Sequence, residues 1–274
     1  MSLTIALGAR GRPELLQRTV EITCSNMTEA DTQLVVLLDA DDEKTRDMTF
    51  ADKRVTKFVA PREDSLGEKF NRVLTIAPND VYLVMVDYAP HVTKGFDRKI
   101  LNAANVFPDG IGIIYNHLAN LSFPQINAVT DGYVKLAGGI YPPYFPYWFV
   151  DHWLDDIGRM IDRIAFVDVG LDTHLRPGTL DYREPAFWSA VYDGLVLERR
   201  QLALKIIDAM DEPGWRKELL RGNFPLVEER SHILNQTVRQ LIGRDTSTDE
   251  RYERIRKKGV ETLTRCIAEI EALP

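Results

Sequence analysis

Asp39, Asp87 and Arg10 stand where short apolar runs give way to polar residues, and each is a residue type that can hold a phosphate- or hydroxyl-rich ligand. The first run enters Gly8-Ala9-Arg10-Gly11-Arg12-Pro13, the second Asp39-Ala40-Asp41-Asp42 and the third Asp87-Tyr88-Ala89-Pro90. A carboxylate at a strand end accepts hydrogen bonds from a ribose hydroxyl or a uracil imide, which makes Asp39 the strongest binding candidate. Gly8 and Gly11 free the backbone for close approach, and an arginine meets a phosphate in bidentate geometry. A surface turn with solvated arginines is the alternative. For Asp41 and Asp42, loop solvation competes on equal terms with binding.

The elements that must position these residues are legible from hydrophobic pattern. Residues 3–7, 34–38, 55–59 and 81–86 read as strands, and the unbroken aliphatic character of 34–38 suits a strand covered on both faces. Residues 13–23 predict a helix with Pro13 in its first turn. A second helix follows Ser65 and carries Phe70, Val73, Leu74 and Ala77 on one face until Pro78-Asn79-Asp80 ends it. This alternation over the first 100 residues predicts βαβ units, a mostly parallel sheet, and ligands at the carboxyl ends of its strands. Residues 111–115 and 133–136 are further strand candidates, and 139–150, dense in Pro, Tyr, Phe and Trp, predicts a shaped loop. From Ala186 helices dominate, the last spanning about 248–273 with Ile255, Val260, Leu263, Ile267 and Ile270 on one side.

Length and composition exclude several classes. The 274 residues, 45% of them hydrophobic, provide an ample core. A net charge of -7 argues against nucleic acid as a partner, because phosphate-backbone affinity rests on clustered Lys and Arg. Cys24 and Cys266 lie far apart without a paired motif, which suggests neither a disulfide framework nor a zinc site and fits a reduced, cytoplasmic setting. No apolar run approaches the length of a spanning helix, so no membrane insertion is expected.

Over residues 1–180 the chain resembles the family 2 glycosyltransferases, nucleotide-sugar enzymes with the GT-A fold. The turn from Gly8 to Pro13 looks like that family's turn after strand one, and Asp39 matches the aspartate that ends its strand two. Asp87 takes the first place of its DxD motif, and Phe145-Pro146-Tyr147-Trp148-Phe149-Val150-Asp151 resembles its acceptor-side segment ending in an acid. The motif is incomplete, since Ala89 stands where the second aspartate belongs. The resemblance implies a GT-A domain with a mixed, mainly parallel sheet over 1–185; the helical pattern after it, which the resemblance does not cover, predicts a helical extension over 186–274 packed on that domain.

By that resemblance Ala9, Arg10 and Asp39 hold the nucleoside of a nucleotide-diphosphate sugar donor. Lys69 and Asn71, in a segment similar to the helix bordering the nucleotide, reach the ribose or diphosphate; the solvated face of an amphipathic helix is the alternative. Asp87 holds Mn²⁺ or Mg²⁺ beside the diphosphate, with His174 completing the site and His91 as its rival. Asp151 is the general base of an inverting, hexosyltransferase-like reaction on an unidentified hydroxyl acceptor. An apolar surround would raise its pKa, and Tyr147, Trp148 and Phe149 would stack on a sugar or acceptor ring. Capping of the following helix is open to Asp151 as well, and Asp155 and Asp156 are rival bases.

Two other classes stay open. A non-catalytic relative that binds a nucleotide sugar or glycan is motivated by Ala89 and by the long helical part. A dinucleotide-binding oxidoreductase ranks last, because only a G-x-x-G follows the first strand. The apolar stripe of the last helix suggests a homo-oligomer, an expectation that light scattering showing a monomer at high concentration would remove.

Overall fold

A computed structural model describes residues 1–116, 127–146, 149–172, 184–240 and 250–272. The chain begins with β1 (Leu3–Gly8), α1 (Pro13–Asn26), β2 (Thr32–Asp39) and β3 (Val55–Ala60), followed by the short α2 (Leu66–Asn71) and α3 (Val73–Ile76). Next come β4 (Val81–Val86), α4 (Phe96–Ala104), β5 (Ile113–Asn116), β6 (Asn127–Thr130), α5 (Asp131–Ala137), α6 (Val150–Ile161) and β7 (Ile164–Val167). Five helices close the chain: α7 (Pro185–Gly194), α8 (Val196–Ala209), α9 (Gly214–Gly222), α10 (Phe224–Arg239) and α11 (Glu250–Glu271).

Two units emerge by compactness. One comprises Met1–Glu63, Glu68–Ile140 and Arg163–Pro177; the other comprises Asp64–Gly67, Tyr141–Asp162 and Gly178–Pro274. α6 belongs to the second of these units.

The first unit is built on a seven-stranded sheet of order β3-β2-β1-β4-β6-β5-β7. β3, β2, β1 and β4 run parallel, β6 is antiparallel to both β4 and β5, and β7 is parallel to β5. β1 and β2 are buried along nearly their whole length, as their aliphatic runs require. Edge strand β3 is largely open and carries Lys57, a charge that discourages edge-to-edge pairing. Leu16 and Val20 of α1 and Phe96 and Ile100 of α4 pack with Leu3, Ile5, Leu34, Val36, Leu83 and Met85 in one core. Burying each such side chain contributes roughly 1.5–3 kcal/mol.

The strand order fixes where a ligand would go. The chain steps outward from β1 to β2 and β3, then returns to the other side of β1 as β4. The reversal leaves a crevice beyond the carboxyl ends of β1 and β4. In register, Gly8 lies beside both Leu37 and Val86, so residues 9–12, 39–42 and 87–88 all leave the sheet at the same edge.

The second unit is helical, with an aromatic centre. Phe149 stacks on Tyr192 with centroids 5.1 Å apart, and Phe145 lies against both. Trp188 donates its indole N–H to the Tyr252 hydroxyl at 3.2 Å. A Cβ at Gly259 would lie 3.1 Å from the Trp188 ring, so α11 packs on α7 through a residue without a side chain.

Three expectations are corrected. Residues 133–136 are not a strand but the middle of α5: the Thr130 hydroxyl caps its start and Gly138, at φ 80°, ends it. Four apolar-rich residues carry no period long enough to separate helix from strand. The helix after Ser65 is broken into α2 and α3. In α11 the buried residues are Tyr252, Ile255, Gly259 and Cys266, while Val260, Ile267 and Ile270 are exposed. The inward face is set by a tyrosine, a glycine and a cysteine that a count of aliphatic residues passes over. Among the described residues no helix is long and apolar enough to cross a membrane.

Candidate functional site

Charged side chains converge where the register brings β1, β2 and β4 to one edge. Asp39 is 3% exposed and both of its oxygens are engaged. Lys69 Nζ donates to Oδ1 at 2.9 Å and Arg10 Nη1 to Oδ2 at 3.1 Å. The same Lys69 ammonium donates to the Ala9 carbonyl at 3.2 Å. Arg10 also forms a two-pronged pair with Asp41, at 2.6 and 3.0 Å. Four of the expected nucleoside- and phosphate-binding residues, Ala9, Arg10, Asp39 and Lys69, are thus one hydrogen-bonded cluster. Asp42 is not a solvated loop residue: it is buried, and it accepts from the Gly11 amide at 2.7 Å and from the Thr45 hydroxyl.

The glycines of the first turn differ. Gly11 sits at φ 71°, a left-handed conformation that strains other residues, and a Cβ there would meet nothing within 4 Å. Gly8 is enclosed instead: its missing Cβ leaves room for the Phe70 ring, 2.9 Å from where that carbon would be. Its role is packing rather than the ligand approach expected of it.

Asp87, one residue past β4, is 0% exposed. Arg12 binds it in a fork, Nε to Oδ2 at 3.0 Å and Nη2 to Oδ1 at 2.6 Å. The guanidinium also lies 5.2 Å from the centroid of the Tyr88 ring. Thr19 of α1 donates to the Asp87 carbonyl at 2.9 Å, so α1 and the residue that precedes it are both tied to Asp87. Burial lifts the Asp87 carboxyl above the ordinary carboxylate range, with Arg12 pulling it back down.

A divalent cation does not fit this donor set. Both Asp87 oxygens are taken by a guanidinium, and among the described residues no three His, Cys, Asp or Glu side chains converge on a point that could hold a metal. The rival ligand His91 is 1% exposed and stacked flat on Phe96 at 4.3 Å. Burial pushes its pKa down to about 3. His174 lies outside the described residues.

Asp151 belongs to the second unit and is the acid of the first turn of α6. Its side chain is 36% exposed. Oδ1 accepts from both the backbone N–H and the ring Nδ1 of His152, each at 3.0 Å. Its pKa is lowered, not raised as expected: burial pulls upward, but the charge and hydrogen bonds of His152 outweigh it. The cap position falls on Phe149 rather than on Asp151.

The rival bases are closed off. Asp155 pairs with Arg159 at 3.0 Å and Arg230 at 2.7 Å. Asp156 accepts from Tyr192 at 2.6 Å and pairs with the buried Arg199 at 3.2 Å. Phe149 is a core residue, whereas Tyr147 and Trp148 lie outside the described residues.

Asn71 accepts the Ile140 N–H at 2.7 Å, and its amide fills the space over Gly139. That contact is structural, and neither ribose nor diphosphate is needed to explain it. Sequence reasoning missed Arg12 as a partner of Asp87. The signal available was an arginine two residues past Arg10, at the entry to α1, facing the end of the neighbouring parallel strand.

No protein-family model matches the chain. No curated protein matches it either. Similar solved structures do exist. Residues 1–349 of TarS from S. aureus, in complex with UDP-GlcNAc, align over 98% of this chain and 83% of that one, at 10% identity and a TM-score of 0.58. A second TarS 1–349 structure aligns over 97% and 81%, at 9% identity and a TM-score of 0.54. The mannosyltransferase PcManGT from Pyrobaculum calidifontis, in complex with GDP-Man and Mn²⁺, covers 97% and 86% at 11% identity and a TM-score of 0.47. The mostly parallel seven-stranded sheet flanked by helices is the architecture of the GT-A glycosyltransferases.

Proposed function

We propose that this chain is a glycosyltransferase akin to family 2, moving a sugar from a nucleotide-diphosphate donor to a hydroxyl acceptor. The observation that carries the reading is the Arg10–Asp39–Lys69 cluster beside the β1/β4 crevice, on a fold like that of TarS. Asp39 and Arg10 meet the nucleoside end, and Lys69, shared between Asp39 and the Ala9 carbonyl, reaches the ribose or diphosphate. The donor set around Asp87 does not suit a divalent cation.

In the reaction, a carboxylate takes the acceptor hydroxyl's proton as that oxygen bonds the anomeric carbon. The bond from this carbon to the diphosphate breaks, and the nucleoside diphosphate leaves with the electron pair. Asp151 is the proposed base, on its resemblance to the family's acid and on its being the α6 aspartate that no arginine among the described residues closes off. An inverting outcome goes with that role. Self-association through α11, whose Val260, Ile267 and Ile270 are exposed, belongs to the same set of proposals.

A panel of UDP-, GDP-, CDP- and dTDP-sugars followed by nucleotide release tests the reading. One donor is expected to bind and turn over slowly to water, and Asp39→Asn is expected to weaken it about tenfold through loss of charge-assisted hydrogen bonds. Binding without release by any donor would favour the non-catalytic relative, a reading supported by the saturated Asp87. Absence of binding by every donor would end both.

A further inference from the structure

We infer that Arg12, fixed by Asp87, takes the place at the diphosphate that a divalent cation and two carboxylates fill in a complete motif, so that nucleoside diphosphate binds this chain without metal. The inference rests on the transferase reading and specifies its anion site.

Four observations carry it. Asp87 is fully buried and spends both oxygens on Arg12, so a cation approaching that carboxylate would have to break two charge-assisted hydrogen bonds and settle beside a guanidinium. Ala89 removes the second acid, and among the described residues no three-donor set replaces it. Arg12 keeps a donor in reserve: Nε and Nη2 serve Asp87, Nη1 has no hydrogen-bond partner among the described residues, and the side chain is 35% exposed. The guanidinium is held in place from two directions, by the Asp87 fork and by the Tyr88 ring 5.2 Å away. It bridges the ends of β1 and β4, where the reversal of strand order opens the crevice.

The charges also balance. Two carboxylates and a dication sum to zero, as do one carboxylate and one guanidinium. The Arg12–Asp87 fork with Ala89 therefore carries the same net charge as the complete motif with its metal, with a guanidinium as the donor. A guanidinium suits a diphosphate because it offers planar N–H pairs to phosphate oxygens and cannot lose its charge.

The test is calorimetric titration of the full chain with UDP and GDP, in EDTA and again in Mn²⁺. The expected result is one nucleotide binding with an affinity that changes by less than about twofold between the two conditions, a difference under 0.5 kcal/mol by the usual conversion. The variant Arg12→Gln with Asp87→Asn keeps an amide pair, leaves no unpaired buried carboxylate and holds net charge constant. It is expected to lose about tenfold or more in diphosphate affinity while uridine or guanosine alone binds as before. Binding that requires Mn²⁺ would overturn the inference and leave the transferase reading standing. A double variant that binds in EDTA as tightly as the parent would do the same. If neither nucleotide binds under either condition, the reading and the inference fall together.

Discussion

Asp87 and Asp151 are the same residue type in opposite settings. Asp87 is sealed against water and shared with an arginine, and its carboxyl is lifted. Asp151 is about a third exposed, touches a histidine and has its carboxyl lowered. Burial costs the charged form of both, but the guanidinium fork leaves a net rise at Asp87, whereas the histidine and a backbone N–H reverse the sign at Asp151. The contrast teaches that an acid's proton affinity follows its partners rather than its sequence surroundings: the aromatic segment before Asp151 predicts a raised value, and one neighbouring ring cancels it. Within α6 the contrast repeats, because Asp155 and Asp156 are held by arginines and Asp151, among the described residues, is not.

Substitutions on α6 and at its arginine partner on α8 would break or sharpen the comparison. The largest effect expected is at Asp151→Asn, where turnover with donor and acceptor should fall by about 10²–10⁴ while the melting temperature barely moves. Unchanged initial rates would remove Asp151 as base. Next is Arg199→Met in the same unit. Arg199 is 2% exposed, pairs with Asp156 and donates to the Tyr192 carbonyl at 2.6 Å. Stripping it leaves a buried carboxylate unpaired, a loss of about 3–5 kcal/mol in denaturant unfolding. A loss no larger than that of a surface substitution would show that the buried pair is not the structural counterpart of the open acid.

The smallest effect expected is at His152→Gln. Removing the ring that holds the Asp151 carboxyl down raises its pKa, so a base that works only when ionised needs a higher pH. The acid limb of kcat/KM should therefore move upward in pH, with the plateau little changed. An unmoved limb would mean that some other group carries the titration.

Much of the first hundred residues was legible because their pattern is unambiguous. The strand over 81–86 matches β4 residue for residue, and the others differ from prediction by a residue or two at their ends. β6 and β7 were missed: each is four residues long, too short to carry a period, and each owes its place to neighbours in the sheet. Asp39, Arg10 and Lys69 were visible as residue types at strand ends and on the helix after Ser65, but their mutual pairing was not. A sequence shows which charges exist, whereas pairing depends on the register between Gly8, Leu37 and Val86. For the same reason Asp87 read as a free ligand, although the arginine that occupies it stands in plain view.

Gly8 has no functional group, yet the charge pattern around Asp39 hangs on it. The Phe70 ring, 1% exposed, fills the space a side chain would need, and Lys69 Cε lies 3.8 Å from the same point. Any larger residue at position 8 would push against a ring with nowhere to go and displace the neighbouring lysine from its two acceptors. In a saturation-mutagenesis library, position 8 should therefore behave like a site residue, intolerant of even alanine. Its intolerance would mark the ligand edge as surely as the charged residues do, and would be mistaken for chemistry by anyone scoring function alone.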